Sequence, residues 1–166
     1  MGADDEQCIT IEPLQRVLDG VAEWIRFADA KAGAALTVDG VLLALFQGRL
    51  RSVPGPGVIT VGSLWFATAV AALSGVFAIW TVIPRVVRLR PASVMHYGHI
   101  ASFDTAAEYL AAVQLVFSDS DRLEAAMAHY IWVLSQAAAR KYMFINWSIR
   151  ALVLAFVFGV SALLWS

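Results

Sequence analysis

Between Trp24 and Phe46 the chain reads WIRFADAKAGAALTVDGVLLALF, a charged, helix-compatible segment that passes without a breaker into an apolar one. Asp29 and Lys31 stand at the junction, and Asp39 lies inside the apolar part. Such a pattern predicts a helix that begins in water and ends in lipid. A membrane-spanning helix needs about 20 mostly apolar residues. The clearest candidate is 58–84, which carries no charge; Pro54-Gly55-Pro56-Gly57 breaks the chain before it, and Pro84 with Arg85, Arg88 and Arg90 closes it. A second is 144–166, with Arg150 as its one charge, and the most diluted is 30–48, which contains Asp39.

Outside these stretches the apolar positions recur at helical spacing. Leu14, Val17, Leu18, Val21, Ile25 and Ala28 form one stripe, in a helix that Thr10 can cap and Pro13 can open. Thr105 and Glu108 have capping-box spacing and predict a helix through Val116. Ser118 or Ser120 then caps a last helix with the stripe Leu123, Met127, Tyr130, Ile131 and Leu134. No Gly or Pro separates Asp121 from Ile149, so this helix should run straight into the third span. With no strand pattern and no repeat, the expected fold is an all-α membrane protein. Three transmembrane helices carry a cytoplasmic helical bundle formed by the N-terminal and central segments.

The segments are expected at 1–29 (cytoplasmic amphipathic helix), 30–48 (span), 49–57 (external loop), 58–84 (span), 85–143 (central cytoplasmic segment) and 144–166 (span). Lys and Arg bias sets the orientation. Arg16, Arg26, Lys31, Arg85, Arg88, Arg90, Arg140 and Lys141 share one side, against Arg49 and Arg51 on the other. The N-terminal and central segments are therefore expected in the cytoplasm of a multi-pass protein.

Composition agrees with lipid as the solvent. The 166 residues are 60% hydrophobic and 15% charged, against about 45–50% and about 25% in soluble domains. A net charge of −1 predicts no general attraction to nucleic acid. A single cysteine, Cys8, excludes an internal disulfide framework and reads as an inert thiol. The acidic start, MGADDEQCIT, lacks the apolar core of a secretory signal peptide, and Glu6 stands where an acylation motif wants Ser or Thr.

Two charges fall within the spans. Asp39 lies eight residues past Lys31, and Arg150 nine past Lys141, so both should sit roughly 12–14 Å along helices that enter from the same side. An Asp39–Arg150 ion pair, within or between protomers, is predicted, because a lone charge at mid-bilayer costs about 2.5–3.5 kcal/mol. The pair reads either as a static clasp or as a polar seam that lines a water path once the helices move. Gly40, Ala44 and Gly48, and likewise Ala67, Ala71 and Gly75, form small-residue stripes that favour close helix contact.

Catalytic chemistry has little support. There is no Gly-rich phosphate loop, G-x-S-x-G, H-E-x-x-H or C-x-x-C. His96 and His99 can share a helix face, with His129 and Asp104 elsewhere, but nothing fixes a complete metal ligand set. No enzyme activity, metal or cofactor is expected. Lys31, Arg140, Lys141 and Tyr142 would lie at one level where two helices enter the membrane. Cations with a ring suit a phosphate and a base; the same residues also suit snorkelling and an aromatic belt.

Three short elements resemble a known family. Ala28-Asp29-Ala30-Lys31-Ala32, Tyr97-Gly98-His99-Ile100, and LSQAAARKY from Leu134 to Tyr142 are similar in order and spacing to motifs of the Pycsar transmembrane effectors. His99 stands where that pattern would place an acidic residue. The resemblance implies a bacterial antiphage protein of the inner membrane. In such systems a partner cyclase makes cyclic CMP or cyclic UMP on infection, and the effector impairs the membrane so that the cell dies before phage release. Asp29, Lys31, Lys141 and Tyr142 match family positions; with Arg140 they are the expected ligand-binding residues. A homo-oligomer in the lipid bilayer is expected. The alternative is a constitutive membrane anchor or scaffold that recruits a cytoplasmic protein.

Overall fold

The computed structural model is all-α and describes residues 3–52, 57–83, 94–95 and 97–164. The elements are α1 (Ala3–Ser52), α2 (Val58–Val82), α3 (Tyr97–Ile100), α4 (Ala106–Phe117) and α5 (Ser120–Leu164). Pro54, Gly55, Pro56, Pro84, Arg85, Arg88, Arg90 and His96, invoked above, lie outside the described residues. Internal contacts divide the chain into two units, one of Met1–Trp24 with Pro84–Ala138 and one of Ile25–Ile83 with Ala139–Ser166.

In the first unit, α1 begins earlier than expected. It opens at Ala3, so Thr10 is interior to the helix and Pro13 lies within it. Residues 3–12 contain no Gly or Pro to break it. Thr105 caps α4 as predicted, its side chain accepting from the Glu108 amide at 3.2 Å. The cap of α5 is neither serine. Asp119 Oδ1 accepts from the amides of Asp121 (3.1 Å) and Arg122 (3.4 Å), a role for which a carboxylate ranks with the best residues. Ser118 instead closes α4, donating to the Leu115 carbonyl. Val94, Leu123, Met127, Val133 and Ala138 are buried, and the Tyr109 hydroxyl donates to the Val94 carbonyl at 3.3 Å. Of the N-terminal stripe, Leu14, Leu18 and Val21 are half-buried, whereas Val17 is exposed.

In the second unit, the buried positions follow a coiled-coil repeat. On α1 they are Ala28, Ala32, Ala35, Asp39, Leu42 and Phe46; on α2 they are Thr60, Leu64, Ala67, Ala71, Ser74, Ala78 and Thr81. The steps alternate between four and three residues, the period that keeps one seam facing its neighbours. On α5, Ile145, Ser148, Ala155, Gly159 and Ala162 keep the same phase. Leu42, Phe46, Leu64, Ala67 and Ala162 form one packed cluster; Ala32, Ala35, Ala78 and Ile145 form another.

The polarity of this unit is inverted. Beside Leu42, Phe46, Leu64 and Ile145, most inward positions are alanine, serine, threonine and one aspartate, while Val41, Leu45, Trp65, Phe66, Leu73, Val76, Val153 and Phe156 are exposed. A water-soluble bundle places its large apolar residues inside; helices packing in lipid put small residues at the contact. Among the described residues two helices are long and apolar enough to cross a membrane, α2 and Ser120–Ala162 of α5, and only 28% and 22% of their apolar windows are buried. The 30–48 part of α1 is not one of these two; Lys31 and Asp39 dilute it. Several hydroxyls turn back on their own helix. Thr68 donates to the Leu64 carbonyl, and Thr81 to that of Phe77.

Gly159 is required by its neighbour. A Cβ there would lie 2.2 Å from the Phe46 ring, which is 3% exposed and walled in by the seam. Gly159→Ala is expected to destabilise the folded protein by about 1–3 kcal/mol, read as a lower midpoint of thermal unfolding in detergent. Adding Phe46→Leu to that variant should restore part of the loss.

Candidate functional site

Residue spacing on α1 sets two polar levels. Asp29 and Lys31 flank the buried pair Ala28 and Ala32, so they lie at the edges of the seam, not in it. On α5, Lys141 and Tyr142 precede buried Ile145 and are half-buried at the matching edge. The helices therefore bring two distant motifs together. Lys141 Nζ donates to Asp29 Oδ1 at 2.5 Å, with the two side chains 21% and 38% exposed. Lys31 Nζ lies 5.3 Å from the Phe27 ring centroid and 5.7 Å from that of Tyr142, within the range of a cation–π contact. Among the described residues Lys31 forms no ion pair. Its charge rests against two ring faces and stays exposed to the surroundings.

Four of the five expected ligand-binding residues thus converge: Asp29 with Lys141, and Lys31 with Tyr142. Arg140 does not join them; it is exposed and makes neither contact. Phe27 was not foreseen. Its spacing of four from Lys31 on a helix was the available signal. The YGHI element forms α3 of the first unit, where Ser102 donates from Oγ to the His99 carbonyl at 2.7 Å. Among the described residues no group of three His, Cys, Asp or Glu side chains could hold a metal ion.

The second level lies ten residues further along α1. Asp39 is 2% exposed, and Ser74 of α2 donates to its Oδ2 at 2.9 Å. Ser74 Oγ is also 2.9 Å from the Ser148 carbonyl and 3.2 Å from Ser148 Oγ on α5. Ser74 and Ser148 are fully buried.

The predicted Asp39–Arg150 pair does not form within the chain. Arg150 is exposed, its guanidinium 5.3 Å from the Trp147 ring centroid. Helical periodicity is the reason: Arg150 is two residues past Ser148, about 200° around the helix from the seam. The aspartate is met by hydroxyls instead. A polar residue recurring in the seam phase of an uncharged span, as at Thr60, Ser74 and Thr81, was the sequence signal for that partner. The small-residue stripes separate in the same way. Ala67 and Ala71 pack in the seam, whereas Gly40, Ala44 and Gly48 are exposed.

The chain as a whole is similar to known proteins. The family model for the Pycsar effector protein domain matches residues 13–166. The chain is 27% identical over 146 residues to the Pycsar effector protein PtPycTM of Propioniciclava tarda, covering 85% of this chain and 72% of that protein. No solved structure matches.

The Asp29–Lys141 contact is partly exposed, so its coupling should be small. A double-mutant cycle with Asp29→Asn and Lys141→Met is expected to give an interaction of about 1 kcal/mol or less by thermal unfolding. A coupling several times larger would mean that the pair is a structural clasp.

Proposed function

Because the chain belongs to the Pycsar effector family, we propose that it is a membrane effector that senses cyclic CMP or cyclic UMP from a partner cyclase and then impairs the bacterial inner membrane. The observation that carries this reading is the meeting of the ADAKA and KY elements, 112 residues apart, through Asp29 and Lys141. A cyclic nucleotide offers one phosphodiester charge and one flat base. Lys31 and Lys141 suit the phosphate as charge-assisted donors, and Tyr142 or Phe27 suits the base as a stacking face. Asp29 is the group that a phosphate would displace from Lys141. Arg140 adds positive charge on the next position of α5.

Segments 30–48, 58–84 and 144–166 are the proposed spans, with the N-terminal and central segments cytoplasmic. The inverted polarity of the second unit supports lipid around it. Segment 30–48 is carried in the same seam as the two more apolar helices. A homo-oligomer would give the outward Arg150 and the exposed Gly40, Ala44 and Gly48 a protein surface to face.

A ligand acts only by favouring one state over another. Displacing Asp29 from Lys141 would favour a state in which α1 and α5 are shifted against each other. No helix break lies between Asp29 and Asp39, or between Lys141 and Ser148. The shift therefore has no hinge to absorb it over about 10–15 Å and would strain the Asp39–Ser74–Ser148 contact. Parting those helices admits water, and membrane integrity is lost.

Three measurements test the reading. The purified full chain is expected to bind cyclic CMP or cyclic UMP, with affinity falling at least about tenfold when Lys31→Ala and Lys141→Ala are combined, since a bond to a charged group contributes about 1.5–3 kcal/mol. Unchanged binding by the double variant overturns the assigned site. Liposomes carrying the protein should release trapped dye only when the cyclic pyrimidine nucleotide is added; leakage that ignores the nucleotide argues for a different trigger. For topology, the lone Cys8 should react with a membrane-impermeant maleimide in inside-out vesicles and not in right-side-out ones.

A further inference from the structure

We propose that Asp39, Ser74 and Ser148 form a binding site for a small monovalent metal cation of the sodium class, at the centre of the helix seam. Three helices contribute to it. Asp39 of α1 supplies a carboxylate, Ser74 of α2 a hydroxyl, and Ser148 of α5 a hydroxyl and its main-chain carbonyl. The oxygens meet at Ser74 Oγ, with separations of 2.9, 2.9 and 3.2 Å. All three residues are at least nine-tenths buried.

One feature points to a missing ligand. Asp39 Oδ1 is buried with no hydrogen-bond partner among the described residues, and a buried orphan acceptor is costly. Ser74 donates to the other carboxylate oxygen, Asp39 Oδ2, and the Ser148 carbonyl lies within unbroken α5, where a helix amide donates to it. A cation held between the carboxylate and the hydroxyl oxygens would give Asp39 Oδ1 the partner it lacks.

Charge and ligand type set the class of ion. No Lys or Arg forms an ion pair with Asp39 among the described residues, so a single monovalent ion would neutralise its carboxylate in full. Calcium takes six to eight oxygens, commonly with several carboxylates, and only one carboxylate is here. The contacting atoms include no nitrogen or sulfur, which excludes the preferred ligands of zinc and copper. Oxygens already at hydrogen-bond separation favour a small ion over a large one.

The inference concerns the resting protein, so it stands or falls apart from nucleotide sensing. The full chain is purified in detergent and exchanged into sodium chloride or N-methylglucamine chloride at equal ionic strength, with no nucleotide present. Saturable retention of radiosodium is expected, together with an unfolding midpoint that rises with the logarithm of sodium concentration. N-methylglucamine should produce no rise. Asp39→Asn, which keeps the shape and can still pair with Ser74, should lose saturable retention and the sodium-dependent shift; Ser74→Ala should weaken both. Absence of saturable sodium retention by the unaltered protein overturns the proposal and leaves the cluster as a hydrogen-bonded clasp. Retention unchanged in Asp39→Asn overturns it equally, because the ion would then sit elsewhere.

Discussion

Close approach of three helices along a line of small side chains is the constraint on which the second unit rests. Lipid tails are as apolar as leucine, so burying leucine gains little there. What remains is tight packing and the hydrogen bonds that helices exchange. Ala32, Ala35, Ala67, Ala71, Ala78 and Ala155 at the contact let backbones come near enough for both. One hydroxyl, that of Ser74, reaches two other helices at once. Where a large residue does enter the seam, as Phe46 does, the opposite helix gives way with Gly159.

The polar residues above that contact inherit their places from it. Once Ala28 and Ala32 face inward, Asp29 and Lys31 must stand to either side. The same phase on α5 puts Lys141 and Tyr142 beside them. Neither pair of contacts needs a loop or a turn to hold it, since each residue is fixed by a helix whose register the seam sets. That explains how the ends of two motifs so far apart in the chain come within hydrogen-bonding distance. It also explains why Arg140, one step around the helix, is left out.

Much of this was legible in the chain. An uncharged run between breakers gave α2 almost to the residue, Thr105 gave the start of α4, and the missing breakers after Asp121 gave an unbroken α5. The ADAKA and KY elements marked four residues that do come together. Less legible was the partner that Asp39 meets within its own chain. Opposite charges at equal depth suggested Arg150, but depth says nothing about angle, and 3.6 residues per turn sends Arg150 outward. Serine was overlooked because it is common in spans and carries no charge. The α5 cap was missed because two serines drew notice, although Asp119 between them ranks equally as a cap. The early start of α1 follows from a stretch with no Gly or Pro before Pro13, which an apolar pattern does not register.

The hydroxyls of α2 differ in a way that bears on motion. Thr68 and Thr81 bond to carbonyls of their own helix, so their acceptors travel with them if α2 turns about its axis. Ser74 bonds only outward in the contacts described, to α1 and α5. An axial turn of α2 would leave the threonines as they are and strip Ser74 of every partner. Among the hydroxyls of α2, Ser74 is therefore the one whose hydrogen bonds register the angular position of the helix, beside the packing of Leu64, Ala67 and Ala78 on either side of it.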